Sequence, residues 1–382
     1  MLEILRFAKQ AVQTAASRDR FRLRLNHLPK HLAPERAWTD ANVIEVDREL
    51  IDRIIASYKL ACASFQTDGE SMWYDFFSDM HGDINEAVHK NDFEKVQSLL
   101  SDPASSDIFY GFDAVAKTNI RGSLVKSDYV FGDQLVIDGL LRLAEAVGAR
   151  HLNNPERSIS KVKPTTADEI IDSLETFFGF PISVPNLFRK EFGIASKRGI
   201  ISYRVPQAIY QAWHIAQLVA EIPNPRVLEI GGGLGRTGFY ANKFGVTDYT
   251  IVDIPITSLA QGYYLARTMG SSEVVLFGEE KIDADAKLKL ITPTEFMSNS
   301  DHYDLILNVD SLTEMDEVTA SNYIDAILNR TDIFVSINHE VNNFTVQDLI
   351  KKRCKSDQIT RMPYWLREGY VHETWKSHDK ME

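Results

Sequence analysis

A strand that runs into a glycine-rich turn constrains this chain more than any other feature of its sequence. Residues 227–230 are apolar except for Glu229, and four of the next five residues are glycines. Glycine adopts backbone conformations that other residues avoid, and it lets a ligand approach the main chain closely. Such a turn between a strand and a helix, at the carboxyl edge of a parallel sheet, is typical of a binding site for a small ligand.

The second half of the chain alternates short apolar runs with helical segments, which predicts an α/β fold with a mostly parallel sheet. The predicted strands are residues 226–230, 249–252, 273–277, 303–308 and 333–337. Residues 1–151 repeat apolar side chains at three- and four-residue spacing and predict a mostly helical N-terminal domain. Residues 152–222 predict a linker and bridging helices, one of them opened by a capping box of Thr166 and Glu169. The sheet domain is then predicted over residues 223–382.

Composition limits the kind of partner. The 42 basic and 54 acidic side chains give a formal charge of -12, which repels a polyanion, so nucleic acid is not expected. Residues 1–37 are an exception, with eight basic and three acidic side chains. They predict either a solvated helix face or a weak contact with a membrane surface. The two cysteines, Cys62 and Cys354, have no metal-ligand spacing, and no apolar stretch is long enough to cross a bilayer, which predicts a cytoplasmic protein without a transmembrane segment.

Two cofactors fit the turn at first sight. Residues 233–238 match the dinucleotide pattern G-x-G-x-x-G, with Asp253 twenty residues after the first glycine. Glu229 separates the two interpretations, because a buried carboxylate needs a cationic partner. The sulfonium and ammonium groups of S-adenosylmethionine supply one, whereas the pyrophosphate of a nicotinamide dinucleotide does not. Asp253 ends the second predicted strand, where its carboxylate either accepts hydrogen bonds from both ribose hydroxyls or caps the next helix.

These motifs resemble the class I S-adenosylmethionine-dependent methyltransferases, and within them the sugar O-methyltransferases of bacterial polysaccharide pathways. The resemblance depends on residues 227–235, 249–255, 259–265 and 308–315. It implies a Rossmann-like sheet of seven strands with an antiparallel last strand, the final strands lying within residues 357–376. It also implies that the helical N-terminal region covers the acceptor pocket.

The family pattern, carried onto this chain, makes Glu229, Gly231, Gly233 and Gly235 the binding turn and Asp253 the ribose ligand. Ile254, Asn308 and Arg204 are further predicted cofactor ligands. Arg204 is included because a planar guanidinium matches the cofactor's carboxylate. Adenine contacts are expected near residues 277–279, after the third predicted strand.

An acceptor hydroxyl must lose a proton, and the ends of the fourth and fifth predicted strands face the methyl group. A histidine side chain can accept a proton near neutral pH, so His339 is the predicted base, with Asp310 and Glu314 as further catalytic candidates. A structural role for His339 and a solvated Glu314 are the alternatives. No metal is expected, but Asp310, Asn338 and His339 are the ligands if a divalent cation activates the hydroxyl.

The sequence thus predicts an S-adenosylmethionine-dependent O-methyltransferase that acts on a hydroxyl of a sugar or a glycosylated intermediate, as a small molecule or lipid-linked. The alternatives are a methyltransferase for another small metabolite, a nicotinamide-dependent oxidoreductase and a non-catalytic interaction protein. Neither the acceptor nor the oligomeric state follows from the sequence.

Overall fold

The structure, a computed structural model, describes residues 35–39, 47–65, 81–103, 108–109, 126–152, 165–188, 191–280, 287–354 and 359–377. The chain divides into two compact units, each built from separated segments. The first unit comprises Met1–Trp38, Ser123–Val184 and Phe192–Pro206, and the second comprises Thr39–Gly122, Pro185–Glu191 and Gln207–Glu382. The predicted domain limits at residues 151 and 222 stay predictions. Nearly all of the basic segment 1–37 lies outside the described residues, so its surface contact also stays a prediction.

Helices and strands alternate in the second half of the chain, and helices dominate the described part of the first. The α-helices are α1 Arg48–Ser64, α2 Gly82–His89, α3 Phe93–Ser101, α4 Lys126–Ala146, α5 Ala167–Phe178, α6 Arg204–Leu218, α7 Arg236–Lys243, α8 Pro255–Met269, α9 Pro293–Ser298, α10 Glu317–Leu328 and α11 Val346–Lys351. The strands are β1 Arg36–Trp38, β2 Phe192–Ser196, β3 Gly199–Ile201, β4 Arg226–Ile230, β5 Asp248–Val252, β6 Val274–Val275, β7 Leu288–Ile291, β8 Leu305–Val309, β9 Ile333–His339, β10 Ile359–Pro363 and β11 Tyr370–Lys376. None of the described helices is long and apolar enough to cross a membrane.

Eight strands form the main sheet, which lies in the second unit in the order β10-β11-β9-β8-β4-β5-β7-β6. The six strands from β9 to β6 run parallel. Strand β11 is antiparallel to β9, and β10 is antiparallel to β11. The predicted Rossmann-like α/β class is therefore confirmed, with eight strands where seven were predicted.

The third predicted strand is wrong in position. Only Val274–Val275 of residues 273–277 form a strand, at the edge of the sheet, and β7 takes the place beside β5. Strand β7 has only four residues, and one of them, Lys289, is exposed. This short mixed pattern is a weaker sequence signal for a strand than the apolar run at residues 273–277. The predicted adenine contacts at residues 277–279 therefore follow the edge strand and not the strand that pairs with β5.

The order of the strands creates a crevice at their carboxyl ends. From β4 the chain moves outward to β5, and it later returns to β8 on the other side of β4. Ligands of open α/β sheets bind at such a reversal, outside the carboxyl ends of the strands. The glycine turn after β4 and the segments after β5, β8 and β9 all meet at this edge.

Apolar side chains bury the sheet beneath its helices. Phe296 of α9, Ile324 of α10 and Leu349 of α11 share one buried cluster with Ile306 of β8 and Phe334 of β9. Elsewhere in the same unit, α1 packs against α8. This packing of helices on the sheet fixes the positions of the strands. The loops at the carboxyl edge therefore extend from a rigid scaffold.

The first unit contains a small antiparallel sheet of β1, β2 and β3, which the sequence did not predict. Helix α5 of this unit begins at the predicted capping box, in which the Thr166 hydroxyl accepts from the Glu169 N–H and the Glu169 carboxylate accepts from the Thr166 N–H. It ends at Gly179, whose φ of 79° is the left-handed conformation that glycine favours.

Two histidines are buried against each other in the second unit. The rings of His214, on α6, and His372, on β11, are perpendicular with centroids 4.6 Å apart. The Nε2 atom of His214 and both ring nitrogens of His372 have no hydrogen-bond partner among the described residues. Burial lowers the pKa of His214 to about 4 and that of His372 to about 3. Both rings are therefore neutral in the folded protein at physiological pH.

This pair should make the protein sensitive to acid. The unfolded chain takes up protons on both rings below about pH 6.5, whereas the folded chain does not until the pH approaches the lowered values. The part of the folding free energy that depends on the two neutral rings is fully present above the pKa of histidine in the unfolded chain, about 6.5. It is lost as the pH falls from there toward the folded pKa values of about 4 and about 3. The wild type should lose free energy of unfolding between neutral pH and about pH 5. We expect the double variant H214F/H372F to avoid on the order of 1 to 2 kcal/mol of that loss for each ring replaced. Urea unfolding at neutral and acid pH measures it, with the exposed His302→Phe as control, and equal pH slopes for all three proteins would refute the assignment.

Candidate functional site

The glycine turn has the backbone geometry that only glycine adopts readily. Gly231, Gly233 and Gly235 have φ values of 73°, 58° and 78°. The N–H of Gly231 donates to the Val252 carbonyl at 2.9 Å, which ties the turn to the end of β5. A Cβ atom on Gly231 would lie 2.2 Å from the Ser311 Oγ. The turn is therefore closed to larger residues, and α7 begins directly after it.

Glu229 is a buried acid on the strand that leads into the turn. It is 2% exposed, and the Tyr249 hydroxyl donates to its Oε2 at 3.0 Å. Burial raises its pKa to about 7, against the effect of hydrogen bonds from Tyr249 and Thr237. At neutral pH the carboxyl group is divided between its two protonation states, and a cation placed beside it would favour the charged state.

Asp253 follows β5 and is the second acid of the crevice. Its Oδ1 accepts from the Ile254 N–H at 2.9 Å, and its Oδ2 accepts from Gln261 Nε2 at 2.8 Å. Burial raises its pKa to about 7, and the charge of Glu229 adds to this rise. Each carboxylate oxygen has a further lone pair, so Asp253 keeps acceptor capacity for ribose hydroxyls. Ile254 is the N-cap of α8, which leaves Asp253 outside the capping position.

Asn308 ties three strand ends together. Its Nδ2 donates to the Ile230 carbonyl at 3.0 Å and to Ser311 Oγ at 2.5 Å. Its Oδ1 accepts from Asn338 Nδ2 at 2.8 Å. This buried amide thus joins the carboxyl ends of β4, β8 and β9, and its predicted contact with a cofactor stays a prediction.

Asp310 follows β8 in an unusual backbone conformation and is held by the β10–β11 hairpin. Its φ is 70°, which is uncommon outside glycine but best tolerated by Asn and Asp. Arg367 Nη1 donates to its Oδ2 at 2.7 Å, and the Tyr370 hydroxyl donates to its Oδ1 at 2.7 Å. Neither partner belongs to a sequence motif, since they lie 57 and 60 residues away. Only the pairing of β9 with β11 brings them to this point.

His339 is the last residue of β9 and lies beside Asp310, as the positions of the strand ends predict. Its Nε2 is 3.3 Å from Thr313 Oγ1 and 3.9 Å from Asp310 Oδ1. The Val341 N–H donates to its Nδ1 at 3.4 Å. In a neutral ring these contacts assign the proton to Nε2 and leave Nδ1 as the atom that accepts one. At 3.4 Å the hydrogen bond from Val341 is long and therefore weak.

The remaining predicted residues have different surroundings. Glu314 ends a short 3₁₀ helix, Leu312–Glu314, which follows Asp310, and it is half-buried. Arg204 begins α6 and belongs to the first unit. The roles of both residues stay predictions.

The conditional metal ligands are engaged with protein groups. Both Asp310 oxygens are bound by the hairpin, and Asn338 Oδ1, the amide atom that could coordinate a cation, accepts from the Thr313 hydroxyl at 3.3 Å. In the part of the chain that the structure describes, no three His, Cys, Asp or Glu side chains are grouped as metal ligands. The predicted roles of these three residues, as metal ligands or in proton transfer, stay predictions.

Similarity to known proteins is confined to three-dimensional structure. No family model and no curated protein matches the sequence. Among solved structures, a magnesium protoporphyrin IX methyltransferase from Synechocystis PCC 6803 with bound SAM is similar over 45% of this chain and 84% of its own, with 14% identity and a TM-score of 0.33. The glycopeptide N-methyltransferase MtfA complexed with S-adenosylmethionine is similar over 44% and 94%, with 13% identity and a TM-score of 0.33.

A third similar structure is the methyltransferase domain of bacterial-CtHen1-CN, which is 9% identical over 44% of this chain and 97% of its own, with a TM-score of 0.32. TM-scores and identities of this size assign no activity, cofactor or substrate to the chain. Its function is therefore inferred from its own residues and their geometry.

Proposed function

We propose that the protein is an S-adenosylmethionine-dependent methyltransferase. The observation that carries the proposal is the pair of buried acids, Glu229 and Asp253, at the two sides of a glycine turn. Each has a pKa of about 7 in the protein alone, because the hydrogen bonds that each accepts do not offset the cost of burying its charge. A ligand with a positive charge and a ribose diol would satisfy both.

The residues of the crevice fit this cofactor in kind. Glu229 would face its cationic part, the backbone of the turn would approach it closely, and Asp253 would accept from the ribose hydroxyls. When bound, S-adenosylmethionine supplies a methyl group on a sulfonium. A nicotinamide dinucleotide also carries a ribose that Asp253 could bind, but it would offer Glu229 no cation, and a non-catalytic interaction protein would leave both buried acids without a ligand.

We further propose that the acceptor is a hydroxyl of a sugar or a glycosylated intermediate, and that the protein works in the cytoplasm. His339 would take the hydroxyl proton, since it lies at the carboxyl edge beside β8. The net charge of -12 supports a neutral acceptor over a nucleic acid. The resemblance of residues 249–255 and 259–265 to sugar O-methyltransferases supports the choice of acceptor over another small metabolite.

Removal of the Asp253 carboxylate tests the cofactor assignment. We expect Asp253→Ala to weaken S-adenosylmethionine binding by about 1 to 3 kcal/mol, because the ribose hydroxyls lose their buried partner. The loss should be larger at about pH 8 than at about pH 6, because the wild-type carboxyl group, with a pKa of about 7, is mostly ionised at the higher pH and mostly protonated at the lower. Isothermal titration calorimetry at both pH values provides the measurement.

The matched control is Asp248→Ala, an exposed aspartate at the start of the same strand. It should leave cofactor affinity unchanged. Titration with NAD under the same conditions decides between the two cofactors. Tight binding of NAD, or equal S-adenosylmethionine affinity in wild type and Asp253→Ala, would overturn the proposed function.

A further inference from the structure

The loop between β10 and β11, residues 364–369, lies at the same edge of the sheet as the crevice. Strand β11 is antiparallel to β9, and its first residue, Tyr370, pairs with the last residue of β9, His339. Pro363, at the end of β10, pairs with Val371. The loop is therefore carried next to the predicted base by the register of two strands.

Asp310 fixes the second half of this loop at two points. It binds Arg367 within the loop and Tyr370 directly after it, each at 2.7 Å. The Arg367 guanidinium also lies 3.8 Å from the centre of the Tyr370 ring. At the start of the loop the Tyr364 N–H donates to the Tyr370 carbonyl at 2.9 Å, and the Tyr364 side chain is buried. These ties restrict the local opening of the loop.

One large side chain of this fixed loop points to solvent. Trp365 is 51% exposed, whereas its neighbours Tyr364 and Leu366 are 3% and 9% exposed. Two other exposed apolar residues lie at this edge, Met362 before the loop and Val341 two residues after His339. An exposed indole on a loop whose backbone is fixed offers a flat apolar face to a ligand, and the loop need not be ordered when the ligand binds.

The charges around the loop select for a neutral ligand. Arg367 is neutralised by Asp310, and Arg361 of β10 is shared between Glu340 and Glu373. Neither guanidinium is therefore available for the phosphate of a charged acceptor without losing a carboxylate partner. A ring with an uncharged, apolar face suits this surface better than an anion.

We propose that Asp310 acts as a positioning residue which clamps the loop 364–369, and that Trp365 of this loop binds the acceptor by stacking on a neutral ring. The inference rests on the proposed function, because it places the acceptor beside His339. It assigns Asp310 a structural task at the site in place of proton transfer or metal binding.

Equilibrium dialysis of p-nitrophenyl β-D-glucopyranoside against protein saturated with S-adenosylhomocysteine tests the stacking. This probe combines a sugar ring and an aromatic ring, and competition by methyl glucoside or by phenol tells which ring is bound. We expect Trp365→Ala to weaken probe binding by roughly 10-fold, and Trp365→Phe to restore most of it. Met297→Ala, which removes another exposed apolar side chain on α9, should have no effect.

Asp310→Asn tests the clamp, because Asn tolerates the same backbone conformation while the charge that holds Arg367 is removed. We expect weaker probe binding and greater acrylamide quenching of the Trp365 fluorescence. That fluorescence is the difference between each protein and the same protein with the added substitution Trp365→Phe. Asp325→Asn, which breaks the separate ion pair of Asp325 with Arg353, should change neither quantity.

Three results would each overturn the inference. They are no probe binding to wild type, equal binding in wild type and Trp365→Ala, and unchanged quenching in Asp310→Asn. The affinity of the wild type for S-adenosylhomocysteine is measured separately, without the probe. If S-adenosylhomocysteine binds, such a result overturns only the inference about the loop; if it does not bind, the proposed function fails as well.

Discussion

Replacement of His339 by alanine is expected to lower the rate of methyl transfer by about 100- to 10,000-fold, the usual contribution of a positioned acid or base. Histidine is the side chain that most often serves as a general base, and His339 lies beside Asp310 at the carboxyl edge of the sheet. Its Nε2 is oriented by Thr313 at 3.3 Å, so Nδ1 is the atom that would receive the proton from the acceptor. Cofactor affinity should change little, because Glu229 lies on β4 and Asp253 directly follows β5, whereas His339 ends β9.

Initial rates with labelled S-adenosylmethionine and a panel of sugar acceptors measure this effect, and His302→Ala, on an exposed loop, serves as the control. A divalent metal would give a different pattern: chelator would stop the reaction, and Asp310→Asn would be at least as damaging as His339→Ala. A full rate in His339→Ala, with or without chelator, would exclude this base and direct attention to Glu314.

The parts of the site that the sequence predicts are those with a local signal. A strand, a glycine turn and an acid two residues before it occupy a short stretch of chain, so their chemistry can be read from spacing alone. The same holds for Asp253, which ends an apolar strand and precedes Pro255 at the start of a helix. Both predictions depend on residue patterns that each lie within one βα unit, and such patterns need no knowledge of the rest of the fold.

The parts that the sequence does not predict depend on pairing between distant segments. Arg367 and Tyr370 acquire a role only because β11 runs antiparallel to β9 and brings the hairpin to Asp310. His214 and His372 come from a helix and a strand separated by most of the sheet domain, and no spacing connects them. Strand β7 is missed for a different reason, since its alternating pattern is short and includes an exposed lysine.

The glycine turn itself allows the largest effect on cofactor binding. We expect Gly233→Val to weaken S-adenosylmethionine binding by more than about 100-fold, because a branched side chain would fill the volume through which the backbone and the cofactor approach each other. The substitution also strains the backbone, since Gly233 has a φ of 58°. Strain alone destabilises the fold without any connection to a ligand, so the experiment needs a variant with the same strain elsewhere.

Gly245 provides that variant. It has a φ of 91° after α7, and a Cβ atom there would meet nothing within 4 Å. Gly245→Val should therefore carry a comparable conformational penalty and lower the melting temperature by a similar amount. Calorimetric titration of both proteins below their melting temperatures separates the two effects, because only Gly233→Val should lose the cofactor. If both variants bind S-adenosylmethionine equally well, the turn after β4 does not hold the cofactor, and the two acids beside it need another explanation.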